Sequence, residues 1–189
     1  MKLSTTLRAE DLKVQFSKNK IIPAHYEKPI LIALSHYPEL KNTAIEFQLH
    51  KRLRWPVKTE AILSNVFIPR AKKVFKIYIR ESEQPELILK NMSTEAQIGA
   101  VARELALIQF CKRNRMMALI NDTLDRIHLK KNIRIEMALD NSVIKHGLST
   151  QLAEYVKALS MHPSRNHPVH EPYLTPTKIT ALNNQKLGI

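Results

Sequence analysis

Apolar and polar residues alternate in two short stretches of the chain, and this alternation predicts two strands. Ile45, Phe47 and Leu49 are separated by polar residues, which is the period of a strand with one buried face. Residues 74–80 repeat the pattern, with β-branched or aromatic side chains at most positions. The stretch between the two strands contains prolines, and we expect a short helix or turn near residues 60–66.

A repeat of apolar residues every three or four positions predicts one long helix from about Thr94 to Lys112. Thr94 is followed three residues later by Gln97, which is the spacing of a capping box at a helix N-terminus. The stripe indicates that one face of this helix packs against the core. Its apolar residues are Ile98, Val101, Leu105 and Ile108, with Leu107 beside them.

Shorter helices are predicted on both sides of the long helix. Pro29 precedes an apolar run at residues 30–34, which indicates a short buried helix. After the long helix, we expect helices at residues 116–127, 133–146 and 149–159, and a short last helix near Thr177. Gly147 would end the second of these helices, and Ser149 would be the N-cap of the third.

The length of the chain and the order of these elements predict a single α+β domain with a short segment at each end. A chain of 189 residues with 44% apolar residues is long enough for one core. Residues 1–25 are polar and basic and are expected to form a loosely ordered arm. Residues 26–161 would form the domain, in which a small sheet packs on the long helix and further helices follow. Residues 162–189 are rich in proline and would lie on the domain before the terminal helix.

The chain is strongly basic, which makes an anionic partner one hypothesis for its function. Lysine and arginine outnumber aspartate and glutamate by 30 to 17. The basic patch, residues 51–80, has nine basic residues and the single acid Glu60. If the partner is nucleic acid, the basic side chains would bind its phosphates and the aromatic rings would stack on its bases. Solvated charges in loops would explain the same pattern without any partner. Binding to the acidic surface of another protein or to an anionic membrane is also open. The candidate basic residues are Lys51, Arg52, Arg54, Lys72, Lys73 and Lys76, and the candidate rings are Trp55, Phe67, Phe75 and Tyr78.

Cysteine use and hydropathy favour a cytoplasmic protein. Cys111 is the only cysteine, so no disulfide can form within the chain, and we interpret it as a small core or boundary residue. The N-terminal residues lack the apolar core of a signal peptide. No apolar run approaches the roughly 20 residues of a membrane-spanning helix. We therefore expect the cytoplasm and no transmembrane segment.

The long helix carries a segment that resembles the active-site helix of zincin metallopeptidases. Residues 103–107 read R-E-L-A-L, which is similar to the zincin motif H-E-x-x-H with both histidines replaced. Further along the chain, Glu136 and Asp140 lie in a segment that resembles the E-x-x-x-D helix of the glutamate-zincins, which supplies the third zinc ligand. The resemblance extends from about Pro29 to residues 173–176, in the manner of small bacterial zincin-like proteins. It implies a minimal zincin-like α+β fold.

The resemblance also implies that the zinc site has been lost. The two histidine ligands would correspond to Arg103 and Leu107, the third ligand to Glu136, its supporting residue to Asp140, and the general base to Glu104. A guanidinium is always protonated and a leucine side chain has no donor atom, so neither can bind zinc. We therefore expect no zinc or other cofactor and no zinc-peptidase activity. The tail histidines His162, His167 and His170 are irregularly spaced among prolines and are interpreted as surface residues.

The charges that remain at this site predict an internal ion pair. Carboxylates on a partly buried helix face are costly unless a cation joins them, so we expect Arg103 to pair with Glu136, and Glu104 is a second candidate partner. Glu104 is otherwise interpreted as a helix carboxylate paired with a neighbouring Arg or Lys rather than as a retained general base. For Glu136 and Asp140, a vestigial ligand pair and an ordinary solvated helix face both stay open.

These features predict a catalytically inactive zincin-like protein that binds an unidentified protein or peptide, or acts as a scaffold. In zincins a substrate peptide lies extended against an edge strand, and residues 75–80 would be that strand here. One alternative is a nucleic-acid-binding protein that uses the basic patch. A second alternative is a metallopeptidase with an unusual site.

Overall fold

The computed structural model describes residues 9–53, 55–60, 74–81, 88–113, 130–161 and 174–187. Within this part of the chain the fold is α+β, as predicted, with six α-helices and one four-stranded sheet. The helices are α1 (Ala9–Phe16), α2 (Glu27–Ser35), α3 (Thr94–Arg113), α4 (Lys130–Lys145), α5 (Ser149–Ser160) and α6 (Pro176–Leu187). The strands are β1 (Lys20–Ile21), β2 (Ala44–His50), β3 (Val57–Glu60) and β4 (Val74–Arg80). None of these helices combines the length and the apolar character of a membrane span.

The sheet is mixed, and its order places β3 at one edge. The strand order is β1-β2-β4-β3, in which β1, β2 and β4 are parallel and β3 is antiparallel to β4. Strands β2 and β4 confirm the two predicted strands. Phe47 and Ile77 pair across them and are buried on the core face. The prediction that residues 75–80 form an open edge is wrong, because β4 lies between β2 and β3.

Strand β3 is an element that the sequence pattern does not predict. Its four residues V-K-T-E hold one strongly apolar side chain, which is too little for a period-two signal. Val57 and Thr59 are nevertheless buried, and β3 packs against α3. The helix or turn expected near residues 60–66 lies outside the described residues from position 61 onward.

Helix α3 is the central element of the core and packs against α2, α4 and α5. The four residues of its predicted apolar stripe, Ile98, Val101, Leu105 and Ile108, are all buried. Gly99 lets α3 and α5 approach each other closely, because a Cβ at this position would overlap the backbone carbonyl of Gln151.

The N-terminal cap of α3 lies one residue earlier than predicted. Ser93 Oγ accepts a hydrogen bond from the backbone N–H of Ala96 at 3.2 Å. The side-chain amide of Gln97 donates to the carbonyl of Met92 at 3.0 Å. The capping box predicted at Thr94 is wrong, since Thr94 is already the first helical residue and Ser93 holds the cap position.

Gly147 and Leu148 lie in the turn between α4 and α5. Gly147 has a φ of 81° and follows the end of α4, as predicted from its position in the sequence. The N-cap of α5 is Leu148, which makes no side-chain cap bond. The prediction that Ser149 is this N-cap is wrong, because Ser149 is the first residue inside the helix.

Both ends of the described chain contribute to the core. Leu12 and Phe16 lie four residues apart on one face of α1 and are buried, so this helix packs on the core. Leu174 and Ile179 are buried at the start of α6, the terminal helix predicted near Thr177. The predicted helix at residues 116–127 and the three tail histidines lie outside the described residues.

Candidate functional site

The guanidinium of Arg103 lies between helices α3 and α4 and contacts two carboxylates. Its Nε donates to Asp140 Oδ1 at 2.9 Å, and its Nη2 donates to Glu136 Oε2. Glu136 and Asp140 are four residues apart on α4, so both carboxylates project from the same face. The side chain of Arg103 is 7% exposed, that of Glu136 is 14% exposed and that of Asp140 is fully buried. The predicted pairing of Arg103 with Glu136 is confirmed.

Asp140 connects three parts of the structure. One carboxylate oxygen accepts from Arg103 on α3, and the other accepts from the backbone N–H of Leu174 at 3.2 Å. Charge-assisted hydrogen bonds of this kind are stronger than neutral ones. Asp140 is therefore a direct partner of the arginine and also fastens the chain before α6 to α4. An ordinary solvated helix face does not describe this burial.

Glu104 follows Arg103 in the sequence but has a different partner. Its Oε2 accepts a hydrogen bond from the backbone N–H of Thr59 at 2.7 Å. This bond joins α3 to strand β3. The expected pairing of Glu104 with Arg103 is wrong. The interpretation of Glu104 as the partner of a neighbouring Arg or Lys is also wrong, because its contact is with a backbone amide of the edge strand.

The position of Leu107 completes the comparison with a zinc site. Leu107 lies one turn after Arg103 on α3 and packs against the core. On the zincin resemblance, Arg103 and Leu107 would stand at the two histidine positions, and the donor chemistry of a guanidinium and an aliphatic chain does not fit zinc. In the described part of the chain, no group of three His, Cys, Asp or Glu side chains is arranged to hold a metal ion.

Tyr155 on helix α5 is buried and is influenced by the charges of this site, which the sequence did not indicate. Burial raises the pKa of its phenol far above the ordinary value. The charge of Arg103 opposes this shift, and the charges of Glu104 and Asp140 add to it. The phenol therefore remains protonated near neutral pH. Its position in the apolar stripe of α5 gave no sign of polar neighbours.

No protein-family model, curated protein or solved structure matches this chain. The resemblance to zincins therefore depends on the residues of α3 and α4 and on their geometry.

A second polar cluster lies where the 3-10 turn Pro38–Leu40 meets the end of α4. His146 Nε2 lies 3.0 Å from Glu39 Oε1, and the side-chain amide of Gln109 donates to the same oxygen. The ring of His146 stacks on Tyr37 with centroids 4.1 Å apart. Burial raises the pKa of Tyr37, and its hydroxyl has no hydrogen-bond partner among the described residues. This cluster fastens the turn to helices α3 and α4 and was not predicted.

The residues of the basic patch are distributed over several surfaces. Lys51 and Arg52 are exposed after β2, and Lys76 is half-buried on β4. Phe75 is buried on the core face, so it cannot stack on a base, contrary to expectation. Residues 54, 72 and 73 lie outside the described residues.

Cys111 lies near the end of α3 and is half-buried. Burial raises the pKa of its thiol to about 11. A thiol with so high a pKa is a poor nucleophile near neutral pH. This agrees with its interpretation as a boundary residue.

Proposed function

We propose that this chain is a degenerate zincin-like protein in which an arginine replaces the zinc ion and which has no zinc-peptidase activity. The observation that carries the proposal is the contact of Arg103 with both Glu136 and Asp140. On the zincin resemblance, Glu136 and Asp140 would lie beside a zinc dication. Here they contact the singly charged guanidinium of Arg103, the residue at the first ligand position.

The arrangement of the elements supports the same proposal. Helix α3 carries R-E-L-A-L, and helix α4 places its two carboxylates against the arginine of that segment. Residues that matched the two motifs by chance would not be expected to contact each other across two helices. The mixed sheet adds an antiparallel edge strand that packs against α3.

We infer that the remaining function is the binding of a protein or peptide in the cytoplasm, along β3. Zincins hold a substrate in an extended form against an edge strand, and β3 is the edge strand beside α3. Added strands gain main-chain hydrogen bonds from the outward groups of such an edge. This replaces β4, the strand that the sequence suggested.

Metal analysis and nuclear magnetic resonance test this function together. The purified protein is expected to contain no stoichiometric zinc, and added zinc should leave the amide signals of Arg103 and Glu136 unchanged. An equimolar library of unstructured peptides should shift the signals of Val57, Thr59 and Glu104. Stoichiometric zinc at α3 and α4 would contradict the loss of the site, and unchanged signals along β3 would contradict peptide binding.

Nucleic-acid binding is a second candidate, favoured by the exposure of Lys51 and Arg52 beside the half-buried Trp55. Each neutralised phosphate would contribute about −0.9 to the slope of log affinity against log salt on duplex DNA. The variant Lys51→Glu/Arg52→Glu should reduce that slope by roughly two. A slope near zero for the native protein would exclude this candidate.

A further inference from the structure

The carboxylate of Glu104 holds the edge strand of the sheet against helix α3. Glu104 Oε2 accepts the backbone N–H of Thr59 at 2.7 Å, across 45 positions of sequence. A hydrogen bond to an ionised carboxylate is shorter and stronger than one to a neutral carbonyl. The side chain of Thr59 adds no such bond, because its buried hydroxyl has no partner among the described residues.

The register of β3 against β4 shows which way the Thr59 amide points. The N–H of Arg80 donates to the carbonyl of Pro56 at 2.9 Å, so these two residues form a hydrogen-bonded pair. Bonded and non-bonded pairs alternate along an antiparallel ladder. The backbone groups of Lys58, opposite Tyr78, therefore face β4, whereas those of Thr59, opposite Ile77, face away from it.

We propose that Glu104 is an autoinhibitory latch on this edge. Its carboxylate occupies the site from which an added strand would accept the outward N–H of Thr59. An incoming peptide must displace Glu104 before it can extend the sheet at that position. The identity of the incoming strand as a peptide rests on the proposed function, whereas the latch itself rests on the Glu104 to Thr59 contact alone.

The position of Glu104 gives this latch a chemical origin. On the zincin resemblance, this carboxylate would be the general base that faces a metal-bound water. Here the preceding residue is Arg103, which forms ion pairs with Glu136 and Asp140. The Glu104 carboxylate instead satisfies a backbone donor of β3, the strand that packs against α3.

Amide hydrogen exchange, resolved by residue, tests the latch without any ligand. In Glu104→Ala the amide of Thr59 should exchange at least about tenfold faster than in the native protein, because its acceptor among the described residues is removed. The amide of Lys58, which faces β4, should keep its native rate and is the internal reference. Glu104→Gln retains a weaker oxygen acceptor and should give an intermediate rate at Thr59.

An unchanged rate at Thr59 in Glu104→Ala would overturn the proposal. Equal acceleration of Thr59 and Lys58 in both variants would also overturn it, since the effect would then be general loosening. The same peptide library used above should bind Glu104→Ala at least about tenfold more tightly than the native protein. Equal affinity would refute autoinhibition, whereas absence of binding to both proteins, with the exchange result intact, would refute the proposed peptide function and leave the latch in place.

Discussion

Removing the guanidinium of Arg103 should destabilise the protein strongly. The substitution Arg103→Ala removes the guanidinium that contacts the carboxylates of Glu136 and Asp140, whose side chains are 14% and 0% exposed. Breaking a buried ion pair by removing one partner costs about 3–5 kcal/mol. Domains are stable by only about 5–15 kcal/mol, so the loss is a large part of the total. A loss of about 4 kcal/mol corresponds to a decrease in Tm of roughly 8–16 °C for a chain of this size.

Urea denaturation of the native protein and of matched variants measures this loss. Arg113→Ala is the control, because Arg113 is an exposed arginine at the end of the same helix and should change the free energy of unfolding by less than about 0.5 kcal/mol. If Arg103→Ala also changes it by less than about 0.5 kcal/mol, the ion pair does not stabilise the fold and the reasoning fails.

A variant without any of the three charges separates electrostatics from packing. Arg103→Met/Glu136→Gln/Asp140→Asn keeps the side-chain shapes approximately but removes the guanidinium and both carboxylates. Replacing a whole buried ion pair by well-packed apolar residues is often neutral, whereas the two new amides still need hydrogen-bond partners, so this variant should be more stable than Arg103→Ala but less stable than the native protein. If both variants are equally unstable, lost packing and not uncompensated charge explains the effect.

Two further substitutions, a thiol reaction and a pH titration test other parts of the structure. Thr59→Val removes a buried hydroxyl that has no partner among the described residues. Thermal unfolding should therefore show a gain in stability of about 1 kcal/mol. A loss of stability would indicate a hydrogen bond to that hydroxyl. Gly99→Ala should lower the free energy of unfolding by about 1–3 kcal/mol in denaturant titrations, because the added methyl overlaps the backbone of Gln151. In an open helix the same substitution would stabilise by about 1 kcal/mol, and such a gain would contradict that contact. Burial raises the pKa of the Cys111 thiol from 9.0 to about 11. At pH 8 iodoacetamide should therefore react about 100-fold more slowly with the folded protein than with the urea-unfolded chain. Equal rates would contradict the burial. Because the unfolded thiol ionises first, stability should also fall as the pH rises from about 9 towards 11.

The helices and the ion pair could be predicted because their signals are local or chemical. The apolar stripe of α3 and the glycine after α4 are patterns within single segments. The partner of Arg103 followed from the zincin resemblance together with charge, because the resemblance brings Arg103 and Glu136 to one site and a buried carboxylate there needs a cation. Asp140 was expected only to support Glu136, and its direct bond to Arg103 depends on the rotation of α4, which the sequence does not encode locally.

The sheet order and the partner of Glu104 could not be predicted for a common reason. Both depend on β3, whose four residues have too few apolar side chains to indicate a strand. Without β3, residues 75–80 were assigned to the sheet edge, and the acceptor role of Glu104 toward Thr59 had no visible donor. Tyr155 was missed because its sequence position fits an apolar stripe, while its polar neighbours come from α3 and α4.

Introducing histidines at positions 103 and 107 tests most directly the proposal that Arg103 stands where a zinc ion would be. The variant Arg103→His/Leu107→His recreates two imidazoles four residues apart on α3, opposite Glu136 on α4, and removes the competing guanidinium. Isothermal titration with zinc should reveal one tight site in this variant, absent from the native protein and weakened when Glu136→Gln is added. A folded double-histidine variant that binds no zinc would contradict the account.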